Sequence, residues 1–172
     1  MEKTIVKIIM TMKKLSIIAF IFLTIPSLFL SCSKKPDVEY TSTFKMAGDW
    51  YVESFVNGMH KYDFAEVYTF NTSDPNSGQL WFDDLENTWF FKGKFDIDYA
   101  SLSFKPKTGI PNLYASGETI DIVEGKVIPN GGHSKTGVVV DSIYLKAQFS
   151  DDPGNTWEFK GHQRTGFFED EY

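Results

Sequence analysis

Three histidines, one cysteine and several paired carboxylates are the side chains of this sequence with chemistry to offer. A hydrolytic serine needs a base to take its proton and donors for the oxyanion. His60, His133 and His162 are the only imidazoles, and no Gly-x-Ser-x-Gly elbow is present. His133-Ser134 stands in the glycine-rich stretch Asn130 to Gly137, where neighbouring side chains of a turn are poorly placed as base and nucleophile. His60 follows the turn pair Asn57-Gly58, and His162 falls on the outward parity of a strand beside Glu158 and Lys160, as a cross-strand surface group. Asp83-Asp84, Asp96/Asp98, Asp151-Asp152 and Glu169-Asp170-Glu171 have oxygens for calcium. They match no EF-hand spacing, and consecutive residues of a strand point to opposite faces. They read as solvated turns and exposed strand faces. The expectation is therefore no catalytic constellation, no metal and no cofactor. A two-carboxylate glycosidase stays open, because separation in space is not read from a sequence.

Cys32 offers a different chemistry. Lys13-Lys14 precede a run from Leu15 to Leu30 without a charge, and Ser33-Lys34-Lys35-Pro36-Asp37 turns polar at once. Basic n-region, apolar h-region and a small residue at the cut make a secretory signal. Sixteen uncharged, mainly apolar residues interrupted by Pro26 fall short of the roughly 20 that span a bilayer. Ser31-Cys32 at its end resembles the lipobox of bacterial lipoproteins, whose cysteine is acylated and becomes the new N-terminus. The match departs from the usual pattern, with Phe29 and Leu30 where Leu and a small residue are customary. The domains expected are a signal peptide over 1–31, with Met12 the better start, then lipidated Cys32 and a flexible tether to 46, then a folded domain over 47–172.

Removing 1–31 takes away Lys3, Lys7, Lys13, Lys14 and Glu2, so the net charge of −6 becomes −9 on 141 residues. That excludes nucleic acid as a partner, since phosphates need a basic surface. It equally disfavours electrostatic docking on anionic headgroups, leaving attachment to the acyl chains. With Cys32 acylated, no thiol remains for a disulfide or a metal.

The elements that must position these groups are strands. Trp89, Phe91, Phe95 and Ile97 alternate with Lys92, Lys94, Asp96 and Asp98; Ile143, Leu145, Ala147 and Phe149 alternate with Tyr144, Lys146 and Gln148; Trp157 and Phe159 alternate with Glu158 and Lys160. This period of two with one apolar face is that of antiparallel strands around one interior. Strands are expected near 48–57, 62–71, 79–84, 88–98, 101–105, 117–123, 126–128 or beyond, 137–149 and 155–163. Turns are expected at 71–78, 84–87, 105–112, Glu124-Gly125, Pro129 to Gly132 and Asp151 to Gly154. The fold class expected is all-β, a sandwich or barrel.

Two resemblances select the barrel. Gly48-Asp49-Trp50 opening the first strand and Arg164 after the last are similar to the pair that closes one end of calycin barrels, lipocalins included, where the guanidinium crosses the indole. Such a stack joins a planar cation to an aromatic face. More extensively, Trp81-Phe82-Asp83-Asp84, Lys126-Val127-Ile128-Pro129-Asn130, Asp141 to Tyr144, Phe149 to Gly154 and Gly161-His162-Gln163-Arg164-Thr165-Gly166-Phe167 with the acidic end Glu169-Asp170-Glu171-Tyr172 resemble the lipid-binding putative hydrolase family of Bacteroides-group lipoproteins. That resemblance covers 47–172 and implies a single antiparallel eight-stranded calycin/lipocalin-like barrel. It also implies binding of a small apolar or amphipathic molecule, a lipid for instance; hydrolysis and an accessory role in an outer-membrane complex are the alternatives.

An eight-stranded barrel is wide enough to be filled by side chains or to hold one small ligand. Trp89, Phe91, Phe95, Ile97, Leu145, Phe149, Trp157 and Phe159 are the candidate lining, and both fillings stay open. Gly93, Ala147 and Gly161 among them make room for a ligand or relieve strand curvature. Trp50 and Arg164 are expected to be structural. The location expected is the outer membrane, lipid-anchored and facing the periplasm, because Ser33-Lys34-Lys35 lacks an acidic cluster after the cysteine.

Overall fold

The computed structural model describes Met12, residues 40–74 and residues 76–172. Cys32 and, apart from Met12, the stretches expected as signal peptide and tether up to residue 39 lie outside the described residues. Tyr40–Tyr172 forms one compact unit.

Its strands are β1 (Gly48–Val56), β2 (Met59–Asn71), β3 (Gln79–Asp83), β4 (Lys92–Asp98), β5 (Ser103–Phe104), β6 (Lys107–Pro111), β7 (Thr119–His133), β8 (Val139–Phe149) and β9 (Trp157–Gln163). β1 to β5 pair in sequence order, β5 passes to β7, β7 pairs with β8, β8 with β9, and β9 returns to β1. The result is a closed eight-stranded antiparallel barrel. β5 and β6 both pair with β7, through Phe104↔Gly125 and Lys107↔Ile122, and act as one strand broken at Lys105-Pro106. Pro106 has no N–H for a ladder, which accounts for the break.

Alternation fills the interior. Phe82, Phe91 and Phe95 are wholly buried, with Phe82–Phe91 centroids 5.3 Å apart and Phe82–Phe95 5.6 Å apart. Phe91 continues the web to Phe149 at 5.0 Å and Phe159 at 5.2 Å. The glycines among these rings are not vacancies. A Cβ on Gly93 would stand 2.7 Å from the Phe95 ring and 2.9 Å from Ile120, and one on Gly161 would stand 1.8 Å from the carbonyl oxygen of Tyr51. Gly161 thus permits the close approach of β9 to β1.

One end of the barrel, the entry end, receives the chain at Gly48 and releases it after Gln163. Here a 3₁₀ turn, Phe44–Met46, places Met46 wholly inside the core, and Thr43 is also buried. Ordered structure therefore begins within the stretch read as tether. The other end, the far end, carries the connections 57–58, 84–91, 112–118 and 150–156.

Four expected boundaries are corrected. Glu124-Gly125 is no hairpin: β7 runs through it with an irregularity between Ile122 and Glu124, and the Phe104 ring lies 2.8 Å from where a Cβ of Gly125 would be. Asn130, with φ 53°, marks a bulge in β7 rather than its end, and the turn lies beyond His133. Residues 107–111, expected as loop, form β6. β4 starts at Lys92, not 88, because a buried carboxylate captures the N–H groups of Thr88, Trp89 and Phe91.

Candidate functional site

That carboxylate is Asp84. It has no exposure and accepts bonds from the N–H groups of Glu86 (3.0 Å), Thr88 (3.2 Å), Trp89 (2.8 Å) and Phe91 (3.0 Å), and from the Thr88 hydroxyl (2.9 Å). A short side chain that collects several backbone donors fixes a turn as a helix cap does. Phe90, at φ 58°, bends the loop further. Asn112 ties the next connection to it, accepting from the Lys92 and Tyr114 N–H groups at 3.1 Å and donating to the Phe90 carbonyl at 3.0 Å. Beside it Asp83 accepts from Lys92 Nζ at 2.6 Å and from the Tyr114 hydroxyl at 2.5 Å. Burial pushes the Asp83 carboxyl up, but Lys92, Tyr114 and the Leu85 N–H outweigh it and hold it below its ordinary value. Burial and the same Asp83 contact push the Tyr114 phenol up.

The loop so held presents Trp89 across the barrel mouth to Trp157, with centroids 4.4 Å apart. The 150–156 connection fixes the second indole. Trp157 Nε1 donates to Asp152 at 2.8 Å, and Asn155 Nδ2 donates to the same carboxylate at 2.7 Å. Those two bonds hold the Asp152 carboxyl below its ordinary value, so it stays charged. Asn57 reaches across, donating to Asn155 at 2.6 Å and accepting from the Thr156 N–H at 3.0 Å. Asn57 and Gly58, at φ 51° and 81°, make the left-handed pair of a tight hairpin between β1 and β2.

Between these connections lies a cleft of about 410 Å³, with Val56, Trp89 and Trp157 as its apolar surface and Met59, His60, Lys61, Asp152 and Asn155 around them. Met59 is 71% exposed at this end, and Phe90 and Leu113 are also exposed. An apolar concavity with a few polar groups at its edge is the ordinary form of a small-molecule site. Below Val56, Ser54 is wholly buried and its Oγ is the buried side-chain oxygen or nitrogen that finds no hydrogen-bond partner among the described residues. It pairs in register with Phe159, one inward step from the Val56–Trp157 pair.

The eight residues read as a lining divide. Trp89, half-buried, borders the cleft, and Trp157 borders it from within the core, only 1% exposed. Phe91, Phe95, Leu145, Phe149 and Phe159 pack in the core, and Ile97 borders a separate depression of about 390 Å³ at the entry end. A third cleft, about 330 Å³ on the outer wall, contains Trp81 and Lys94, whose ammonium already sits 4.9 Å from the ring.

Trp50 and Arg164 do not stack on one another as expected. Trp50 points inward and donates to Thr69 Oγ1 at 2.8 Å, and that hydroxyl bonds the Met46 carbonyl at 2.6 Å. Arg164 lies outside, 6.0 Å from the Tyr51 ring, bonded to Glu66 at 3.0 Å and Glu171 at 2.7 Å. Successive residues of a strand face opposite sides, so a cation on the outer wall meets Tyr51. Tyr51 also donates to Glu171; burial, then Glu171, pushes its phenol up to about 12.

His162 keeps its outward parity but is not a surface group. It is 5% exposed, covered by the chain's last residues, with Nε2 3.1 Å from the Tyr172 hydroxyl. Ser134 Oγ accepts from the Val138 N–H at 3.1 Å. Among the described residues no histidine is hydrogen-bonded to a serine. Sequence reasoning missed Asp84, Asn112 and Asn57 as the groups that shape the site; the Asp-Asp pair after Trp81-Phe82 and the Asn-Gly dipeptide were their signals.

No curated protein matches the chain significantly. The model of the family described as lipid-binding putative hydrolase matches residues 35–168, which spans the barrel and its approach. A lipid-binding role fits that match and the β-barrel with its aromatic cleft. On that match, over most of its length, the chain belongs to the lipid-binding putative hydrolase family.

Proposed function

We propose that the barrel binds one small apolar or amphipathic lipid-like molecule in the far-end cleft, with Trp89 as its principal contact and Trp157 beneath it. The observation that carries this is the pair of touching indoles over a concavity of about 410 Å³, on a chain of a lipid-binding family. The rim carries both signs, Lys61 and Asp152, so hydrophobic contact supplies the affinity and salt has little influence. The ligand-contact residues are then Trp89, Val56 and Met59, with Trp157, 1% exposed, as the floor beneath them.

The test is titration of the mature chain with a brominated fatty acid, read as quenching of tryptophan emission. Saturable quenching is expected, insensitive to salt and weakened roughly tenfold in Trp89→Ala, in line with about 1.4 kcal/mol of lost contact. Absence of saturation overturns the reading. Turnover of a short-chain ester that vanishes in His133→Ala would instead support hydrolysis.

The reading extends to an outer-membrane lipoprotein, triacylated at Cys32 and facing the periplasm. Its support is the lysine-led apolar run that ends at Ser31-Cys32. Each buried CH₂ contributes about 0.8 kcal/mol, so several chains anchor firmly where one does not. Cys32→Ser is expected to abolish palmitate incorporation and to move the protein to the soluble fraction. Stripping of the protein by protease from intact cells would reverse the orientation.

A further inference from the structure

On the outer wall beside the cleft, three side chains converge that strand parity alone would separate. His60 and Asp63 lie three apart on β2, and in a regular strand such residues face opposite sides. The pairing is not regular. His60 stands opposite Phe55 while Tyr62 stands opposite Ser54, so Lys61 is an extra residue; a second shift follows between Ser54 and Val52. The bulge at Lys61 reverses parity and turns Asp63 to the side of His60, which is also the side of Glu53. Bulges commonly re-aim a side chain beside a functional site.

The consequence is a cluster with ligand geometry. His60 Nε2 lies 3.6 Å from Glu53 Oε1 and 3.5 Å from Asp63 Oδ1, and one donor atom of each residue lies within 4.8 Å of the others. Around an ion bound at roughly 2.0–2.2 Å, tetrahedral donors stand about 3.4 Å apart. Two of the three separations therefore need to close by only tenths of an ångström. The Phe55 ring meets the imidazole edge-on at 5.4 Å and steadies it, and Lys160 Nζ, paired with Glu158 at 2.7 Å, sits over that ring.

We propose that Glu53, His60 and Asp63 form a site for a zinc-class divalent cation. One imidazole and two carboxylates suit such an ion, whereas calcium requires six or more oxygens. Three protein ligands leave a coordination position open. His60 also borders the cleft, so the cation stands at its lip and its open position takes the anionic headgroup of an amphiphile. This last step rests on the cleft reading; the metal site itself does not.

The test is calorimetric titration of the full mature chain with zinc chloride, with calcium chloride as comparison. One equivalent is expected, with affinity falling at least tenfold in His60→Ala and in Asp63→Asn, and unchanged in His133→Ala. His60 and Asp63 are exposed, and an unchanged circular dichroism spectrum establishes that their variants fold. No saturable zinc binding, or equal affinity in His60→Ala, overturns the site. Zinc is then expected to tighten a fatty acid in the quenching titration but not the matching fatty alcohol. Zinc binding without any quenching retains the metal site and removes the cleft reading; quenching without zinc binding does the reverse.

Discussion

At the far end of the barrel Asp84, with no exposure, gathers four backbone N–H groups and a hydroxyl; at the entry end Asp170, 2% exposed, accepts from the Thr136 N–H and the Thr165 hydroxyl, both at 2.7 Å. Both carboxylates solve one problem, satisfying backbone donors where the ladder stops. What they leave outside differs. Asp84 folds a loop whose indole lies across the mouth beside Trp157, and a cleft remains between the connections. Asp170 pins the last residues to the β7–β8 turn on the outer wall, while Met46 seals the core beneath. Both ends carry concavities, of about 410 Å³ at the far end and about 390 and 410 Å³ at the entry end, but only the far-end one is faced by a pair of indoles. The barrel between them is filled with rings, so the proposed ligand would enter only as far as the far-end connections allow.

The strongest way to break this contrast is Asp84→Ala. It strips the acceptor from several amides at once, each costing about 1–3 kcal/mol when left buried and unpaired. Destabilisation of at least about 3 kcal/mol is expected in urea unfolding, together with loss of fatty-acid quenching. Asp84→Asn, which keeps one acceptor oxygen, is expected to fall between. If Asp84→Ala unfolds no more readily than the native chain, the far end is not organised by this side chain.

How much of the two ends was legible in the sequence follows from the range of the interactions. The period of two in 143–149 and 157–159 names inward residues correctly, because parity is local along a strand. The depth of the rings was not legible: Phe95 and Trp157 carry the same pattern and are both buried, yet only Trp157 also borders the cleft. Asp84 looked like a solvated turn residue, since nothing in Asp83-Asp84 tells that the next seven residues bend back onto it. Arg164 was placed on Trp50 by likeness to a motif, although the parity of Tyr51 against Trp50 sends an outer cation to the tyrosine. The bulge at Lys61 hid the convergence of His60 and Asp63 for the same reason that parity usually succeeds.

A smaller effect sharpens the far end alone. Ser54 Oγ is buried without a partner, one step below Val56 and Trp157. An unpaired hydroxyl in apolar surroundings costs about 1–3 kcal/mol. Ser54→Ala is therefore expected to raise stability by about 1 kcal/mol, measured as a higher urea midpoint. The same variant is expected to leave fatty-acid quenching unchanged, because this hydroxyl is wholly buried beneath the cleft. A loss of stability in Ser54→Ala would mean that the hydroxyl is satisfied after all.

The smallest effect is confined to the entry end and is set by pH. Burial pushes the Asp170 carboxyl up, but bonds from Thr165, Thr136 and Ser134 outweigh it and draw it down to about 2 from an ordinary 3.8. A carboxylate depressed in the folded state contributes stability that is complete above its unfolded value and disappears as pH falls through the folded one. The contribution of Asp170 is therefore full above about pH 4 and fades towards about pH 2. Glu171, held below its ordinary value by the Tyr51 hydroxyl and Arg164, fades in the same direction. In acid the last residues should leave the outer wall, exposing His162 and freeing the Thr136 amide. Protection of the Thr136 amide, its exchange relative to the intrinsic rate at each pH, is expected to fall on acidification, while Phe91 and Phe159 stay protected. Asp170→Asn is expected to show the faster exchange already at neutral pH. Equal protection of Thr136 in Asp170→Asn would show that the tail is held by Arg164 and Tyr172 rather than by the carboxylate.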